Sequence, residues 1–384
     1  MTPGLHLAWL QLTKRKGHFF AAIAGVSFAV TLMLGQIGLR DSLLETSTRL
    51  YSRFRADIVM TSWQYQFQQG SGALPERRIV QVLGVPGVLS CAPVRIGWAG
   101  LKNPVDHQIR QIVLLGIQPG ETVLDFDGQT TGFEALREPD TFLFDSDSRA
   151  MFGPLADQAR RSGTIPIEVS QRQGRIVGLF ELGPGFATDG HLITSDLTYR
   201  RVTAGIATPL PALGLIRVQP GSDVTQVIER LRESLPRDVR FVSAADFQEQ
   251  ERQYWLRTSP IGFVFTAGLL IGLVVGAVVV YQILYSDVSN HLWEYATMKA
   301  MGYRDRQLFL LVVEQSILMS IIGFIPGCLI AKGIFVVTHR ATLLPLELSA
   351  ARLSEVYFLT LLMCCLSGAL AMFVLRSADP ADIF

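Results

Sequence analysis

Residues 261–285 read IGFVFTAGLLIGLVVGAVVVYQILY, a run without a single charged side chain. A helix needs about 20 apolar residues to cross the hydrocarbon core of a bilayer, so this run predicts a membrane span. A polar connector follows at residues 286–306, and a second apolar run begins at Leu308. Two spans joined by a short polar loop predict an α-helical membrane protein.

Two further apolar runs complete a set of four predicted transmembrane helices. The run from Phe19 to Leu39 is longer than the apolar core of a cleaved secretory signal, so we interpret it as a retained first span. The fourth span runs from Val356 to Leu375. The predicted order is an amphipathic elbow helix at 1–18, span one at 19–39, a large domain at 40–259, span two at 260–285, the connector at 286–306, span three at 307–331, a short loop at 332–355, span four at 356–375 and a tail at 376–384.

The long stretch between spans one and two predicts a folded α+β domain. Residues 109–117 and 213–218 alternate like strands, and residues 76–83 and 222–235 have helical periodicity. The region from 119 to about 208 is rich in Gly, Asp and short β-like runs, which indicates an inserted lobe and hence two lobes. A charged helix over residues 245–258 is expected to continue into span two, where Pro260 either kinks the joint or begins the span.

Composition excludes several classes of function. Mean hydropathy is +0.32, and 17% of the residues are charged, below the ~25% typical of soluble proteins. A formal net charge of +1 argues against a nucleic-acid binder. Among the four cysteines, only Cys91 lies outside the apolar runs, so no disulfide framework is expected.

Motifs for catalysis are absent from the sequence. No segment fits the phosphate-binding G-x-x-x-x-G-K-[ST] loop, H-E-x-x-H or G-x-S-x-G, and the six histidines are scattered. We therefore expect no intrinsic ATPase, no catalytic residue, no metal site and no cofactor.

Orientation follows from the basic residues that flank the spans. One side carries seven of them and the other side four, which predicts that both termini and the connector are cytoplasmic and that the 40–259 domain is extracytoplasmic. The first set is Lys14, Arg15, Lys16, Lys299, Arg304, Arg306 and Arg376, and the second is Arg40, Lys332, Arg340 and Arg352.

The connector carries a family resemblance. Residues 294–302, Glu-Tyr-Ala-Thr-Met-Lys-Ala-Met-Gly, resemble the signature of FtsX-like and MacB-like (type VII) ABC transporter permeases. Together with residues 281–285 (YQILY) and the C-terminal residues 378–384 (ADPADIF), the chain resembles the DevC subfamily. The resemblance runs from the N-terminal elbow to the last residue.

This resemblance implies a permease subunit in a bacterial inner membrane. It implies a homodimer that works with two copies of a cytoplasmic ABC ATPase, a periplasmic adaptor (membrane fusion protein) and a TolC-like outer-membrane protein, and it implies glycolipid or other amphipathic cargo. The 40–259 domain then resembles the periplasmic domains of MacB-like permeases. Two alternatives stay open: an FtsX-like mechanotransmitter that controls a periplasmic partner, and a membrane-anchored sensor that needs no ATPase.

Three sets of residues are candidates for function. Exposed aromatic and methionine side chains are typical of interfaces, so we expect the connector to contact the ATPase; its candidate residues are Glu294, Tyr295, Met298, Lys299, Met301 and Gly302. Small residues four apart predict close helix packing, within the subunit or across a dimer; they are Ala21, Gly25, Ala29, Gly268, Gly272 and Gly276. The intramembrane Glu314 is expected to make a structural contact with the connector or the elbow helix, rather than to carry protons or substrate.

Overall fold

The chain forms two compact units. The computed structural model describes residues 16–66, 73–120, 123–126, 132–205, 210–290, 301 and 305–376. The helical unit comprises Met1–Asp41, Pro260–Ala341 and Pro345–Phe384, and the sheet unit comprises Ser42–Ser259 and Thr342–Leu344.

In the described part of the chain, four long helices are apolar enough to cross a membrane. They are α1 (Lys16–Ser52), α7 (Pro260–Asn290), α8 (Asp305–Thr342) and α9 (Ala350–Arg376). A mixed α/β domain lies between the first and the second of them. This arrangement confirms the predicted fold class.

All four helices are longer than the predicted spans, and α1 and α8 exceed them most. Helix α1 continues beyond residue 39 to Ser52, because residues 42–52 contain no Gly or Pro and because Leu50 and Tyr51 are buried in the sheet unit. Helix α8 continues beyond residue 331 to Thr342, so much of the predicted 332–355 loop is helical. Lys332 does not end this helix, since its long side chain is exposed and can carry its charge to water.

The expected continuous helix into span two is interrupted. Helix α6 (Ala244–Gln253) ends in a π turn at Tyr254–Thr258, and Ser259 is extended, with φ −76° and ψ 141°. Pro260 is the first residue of α7. A residue that precedes proline is pushed out of the helical region, so Pro260 starts the span and its predecessor breaks the helix.

The sheet unit contains nine strands and five short helices in its described residues. The strands are β1 (Ile58–Ser62), β2 (Val88–Lys102), β3 (Ile109–Ile117), β4 (Thr141–Asp145), β5 (Ile165–Val169), β6 (Arg172–Phe180), β7 (His191–Ser195), β8 (Leu213–Val218) and β9 (Val239–Ser243). The helices are α2 (Glu76–Val82), α3 (Leu155–Ser162), α4 (Asp196–Val202), α5 (Val224–Ser234) and α6. The strand order is β3-β7-β4-β6-β5-β2-β8-β1-β9, with β2 also pairing with β3.

The long strand β2 joins two lobes of this sheet. Its first part pairs with β8, and its second part pairs with β3 and meets β5 at Leu101–Val169. One lobe packs α2 and α5 on β1, β8 and β9, around Ile58, Val227 and Phe241. The other packs α3 and α4 against strands β2 to β7, around Leu114, Phe142 and Tyr199. Strands β4 to β7 and helices α3 and α4 come from the segment that was predicted as an inserted lobe.

Local sequence explains where several short helices begin. The side chain of Asp223 accepts a hydrogen bond from the amide of Thr225 (2.9 Å) and so caps α5. Ser243 accepts one from the amide of Asp246 (3.1 Å) at the start of α6. Each cap satisfies an amide that has no partner within the helix.

Candidate functional site

Most of the predicted connector, at residues 291–300 and 302–304, lies outside the described residues. Glu294, Tyr295, Met298, Lys299 and Gly302 belong to the segments that the structure does not describe. Met301 is described, and 67% of its surface is exposed. An exposed methionine between two span helices is available for contact with a partner protein.

The glycines of α7 lie against α1 within the subunit. A Cβ atom placed on Gly268 would come within 2.5 Å of the side chain of Gln36, and one on Gly276 would come within 2.5 Å of Ala29 Cβ. At Gly272 the nearest atom is Leu32 Cβ, at 3.4 Å. The glycine stripe therefore lets the backbones of α1 and α7 approach closely inside one chain.

Two of the three small residues of α1 take part in this contact with α7. Ala29 is buried and Gly25 is half-buried, with a Cβ on Gly25 meeting the side chain of Val279 on α7. Ala21 is exposed on the helical unit. A second copy of the chain could thus reach Ala21 but not Ala29 without displacing a neighbouring helix.

Helix α8 also packs closely on α1, through a pair of glycines of its own. A Cβ on Gly323 would come within 2.5 Å of Val26 Cβ, and one on Gly327 would lie 2.9 Å from the carbonyl oxygen of Ser27. The candidate packing residues identified from the sequence include the α7 glycines but not this α8 pair. Its spacing of four residues was the signal that could have found it.

Polar contacts join α1 to α8 around Pro326. The hydroxyl of Ser27 donates to the carbonyl of Gly323 (2.9 Å), and that of Thr31 donates to the carbonyl of Gly327 (3.1 Å). Pro326 lies inside α8 and has no N–H to give to the helix. The two hydroxyls flank the turn that contains Pro326, so they tie α1 to α8 on both sides of the proline.

Helices α1 and α9 are linked by charge at one end of the helical unit. The guanidinium of Arg352 donates to a carboxylate oxygen of Asp41 (2.8 Å), and Arg40 pairs with the other oxygen of the same carboxylate (3.1 Å). The C-terminal end of span one and the N-terminal end of span four therefore lie on the same side of the helical bundle. This agrees with four spans that alternate in direction.

Glu314 lies half-buried in α8. One carboxylate oxygen, Oε2, is buried and has no hydrogen-bond partner within the described ranges. The connector and the elbow helix, its predicted partners, fall mainly outside those ranges, so that contact stays a prediction. A charged group inside a span is costly, which makes such a contact valuable to the fold.

Three side chains in the sheet unit connect α1 with α6, and sequence reasoning missed them. We call them the clasp: Tyr51, Tyr65 and Glu251. The hydroxyl of Tyr65 donates to Glu251 Oε1 (2.5 Å) and lies 3.3 Å from the hydroxyl of Tyr51. The ring of Phe247 stacks edge-on against Tyr51, with centroids 5.0 Å apart. No periodicity predicts a contact between residues so far apart in the sequence.

Burial determines the electrostatics of the clasp. It raises the pKa of Tyr65 well above 10, and the neighbouring Tyr51 and Glu251 add to this effect. The phenol therefore stays protonated at physiological pH and can donate its hydrogen bond. Because α1 contains the first span and α6 leads toward the second, the clasp fixes the two chain segments that connect the sheet unit to spans one and two.

Part of the helical unit matches a known protein family. Residues 265–380 match the family described as FtsX-like permease C-terminal. This stretch takes in most of α7 and all of α8 and α9. Comparison with curated protein sequences found no match.

Comparison with solved structures gives two matches, each to about half of the chain. One is the periplasmic region of MacB from Actinobacillus actinomycetemcomitans, with 10% identity, a TM-score of 0.35, and coverage of 51% of this chain and 92% of that chain. The other is the extracellular domain of the noncanonic ABC-type transporter YknZ from Gram-positive bacteria, with 11% identity, a TM-score of 0.33, and coverage of 48% and 98%.

The family match and three of the four long apolar helices fall in the same part of the chain. Four helices of the described residues are long and apolar enough to cross a membrane, and the segment that contains most of α7 and all of α8 and α9 is similar to the FtsX-like permease C-terminal family. Within the described residues, no group of three or more His, Cys, Asp or Glu side chains could hold a metal ion.

Proposed function

We propose that the chain is the permease subunit of an ABC exporter of the DevC/MacB type. It would transmit the ATP-driven motion of a separate ATPase to the sheet unit. The observation that carries this proposal is the match of residues 265–380 to FtsX-like permeases, in a chain that also holds a folded domain between its first two spans. The sequence has no phosphate-binding loop, so the ATP must be hydrolysed by a partner.

The packing of the helical unit suits force transmission. The connector joins α7 to α8, and both helices contact α1 through glycines, while α8 also accepts hydrogen bonds from the hydroxyls of Ser27 and Thr31. Close-packed helices do not deform continuously, so a displacement of the connector would move α7 and α8 against α1 as rigid rods. The ATPase must bind the connector differently in its two nucleotide states, since equal affinity would shift nothing.

In the sheet unit, the clasp is the point that receives the motion of the spans. It joins the end of α1 to α6 through partly buried hydrogen bonds, so the two segments would move together. A motion that enters through either span would then reach the same lobe. This part of the proposal rests on the chain connections at Asp41–Ser42 and at Ser259–Pro260.

The proposal also covers the cargo, the partners and the orientation of the chain in the membrane. Few polar side chains lie in the spans, which favours amphipathic cargo handled at or outside the membrane over a hydrophilic channel. The DevC resemblance adds a periplasmic adaptor and a TolC-like duct. It also adds a homodimer in a bacterial inner membrane, with both termini cytoplasmic. Exposed apolar side chains on α7, such as Val264, Ile271 and Val278, leave a face for a second copy.

Co-purification tests this function. The full-length chain, tagged and extracted with its native lipids, should retain a P-loop ATPase, and the retained amount should change when ATP is added. A membrane-anchored sensor would retain none, and that result would contradict the proposal. Reconstitution in lipid vesicles then separates export of a labelled amphiphile from the activation of a periplasmic hydrolase.

A further inference from the structure

A cleft lies between the two lobes of the sheet unit. It has a volume of about 440 Å³, which falls within the range of small-molecule sites. Helix α2 of one lobe and helix α4 of the other form two of its walls. The apolar lining includes Ile79, Val80, Leu136, Leu197, Pro139 and Pro211.

Arg95 of β2 lies in the wall of this cleft. Only 1% of its side chain is exposed. Its Nη2 donates to Glu76 Oε1 of α2 (2.6 Å), and its Nε donates to Asp196 of α4. The Nη1 atom is buried and has no hydrogen-bond partner among the residues that the structure describes. A buried, unused guanidinium donor is costly, so an acceptor oxygen at this point would be favourable.

The charge around Arg95 is already balanced. Arg200 of α4 also pairs with Glu76 (2.5 Å) and with Asp196 (2.9 Å), so two arginines and two carboxylates form a closed ring. Arg137, the third arginine that lines the cleft, pairs with Glu134 (2.7 Å). An incoming anion would therefore find no unpaired positive charge, and it would face two carboxylates. A neutral acceptor has no such penalty.

The mouth of the cleft is apolar. Val80 on α2 is 69% exposed, and Leu197 on α4 is 54% exposed. Both belong to the cleft lining, and each is carried by a different lobe. Exposed apolar side chains around a polar donor are typical of a binding site that holds an apolar body and orients it by one hydrogen bond.

We propose that this cleft binds a neutral molecule that presents a carbonyl oxygen, of an ester or an amide, next to an apolar chain or ring. The carbonyl accepts from Arg95 Nη1, and the apolar part covers Val80 and Leu197. Since α2 and α4 belong to different lobes, a bound molecule holds the lobes together. The site does not depend on the ATPase partner. Failure of this proposal would therefore leave the proposed function untouched, and the reverse also holds.

A pair of matched probes tests this site. The full-length chain in lipid nanodiscs is titrated with 4-phenylbutyramide and with 4-phenylbutyrate, and binding is followed by ligand-observed NMR against empty nanodiscs. We expect saturable binding of the amide, and binding of the carboxylate about tenfold weaker because of Glu76 and Asp196. Absence of saturable amide binding, or equal or tighter binding of the carboxylate, would overturn the proposal.

Two exposed valines provide a test by substitution. Val80→Gln removes an apolar contact at the cleft, whereas Val105→Gln changes a valine of similar exposure (67%) outside the cleft lining. The first substitution should weaken amide binding about three- to tenfold, because it removes apolar area that the ligand buries. The second should leave binding unchanged. Equal effects of the two substitutions would assign the binding to another surface.

Discussion

Glu314 and Tyr65 are the two ionisable side chains whose surroundings matter most for the account. One has a carboxylate oxygen without a partner among the described residues of α8, and the other donates to a buried carboxylate in the sheet unit. Both could serve structure or function. Their substitutions separate the two roles.

For Glu314, we expect a structural role. Glu314→Gln keeps the size of the side chain and its ability to form hydrogen bonds but removes the charge, so ATP-driven activity should stay close to that of the wild type. The measurement is ATPase or transport activity per mole of protein in the membrane. Lost activity at a normal protein level would assign Glu314 a role in proton or substrate movement.

For Tyr65, we expect a loss of stability. Tyr65→Phe removes the hydrogen bond to Glu251 and leaves that buried carboxylate without this donor, which should cost about 1.5–3 kcal/mol in the free energy of unfolding. Thermal unfolding of the full chain at pH 7 measures this change. An unchanged melting temperature would show that the clasp does not stabilise the sheet unit.

The same substitution has a pH signature. The pKa of Tyr65 is raised in the fold, chiefly by burial, so its stabilising contribution is complete below pH 10 and is lost as the pH rises further. Wild-type stability should therefore fall more steeply above pH 10 than that of Tyr65→Phe. Parallel curves for the two proteins would contradict the raised pKa.

At the scale of elements, the contacts of α1 with α7 and α8 depend on glycine. Gly327→Ala places a Cβ about 2.9 Å from the carbonyl oxygen of Ser27, so the helices must separate. We expect a cost of about 1–3 kcal/mol, as for other overpacked cores. The measurement is thermal unfolding of the full chain in detergent.

Gly333 offers a matched control in the same helix. A Cβ at this position meets nothing within 4 Å. Gly333→Ala should leave stability unchanged or raise it slightly, because alanine favours a helix over glycine. Equal destabilisation by both substitutions would mean that the loss comes from the helix itself and not from its contact with α1.

The elements show how far the sequence predicts the fold. Strand β3, helix α5 and the four spans were predictable because their periodicity and capping residues are local signals. The ends of α1 and α8 were not, since Arg40 and Lys332 suggest a boundary while tertiary packing and long side chains let the helices continue. The break at Ser259 follows from Pro260, but the sequence alone left two interpretations open.

The site was less predictable than the fold. Spacing indicated that the glycines of α7 pack closely, but it could not identify α1 as their partner in the subunit. The ring around Arg95 joins Glu76, Asp196 and Arg200, which come from different elements of two lobes. Such contacts depend on the strand order and leave no mark on local sequence.

For the whole molecule, the proposed function requires that a separate ATPase binds the connector between α7 and α8. Met301, at the end of this connector, and Val337, near the other end of α8, are 67% and 68% exposed and so form a matched pair. A photoreactive p-benzoylphenylalanine can replace either residue in full-length chains, in cells that produce the natural partners. Illumination then reports which proteins lie beside each position.

This cross-linking is the most direct test of the central claim. We predict a covalent adduct between the chain substituted at Met301 and a cytoplasmic P-loop ATPase, and no such adduct from the chain substituted at Val337. If the ATPase is captured from Val337 instead, or from neither position, the connector is not the site through which ATP hydrolysis drives this protein.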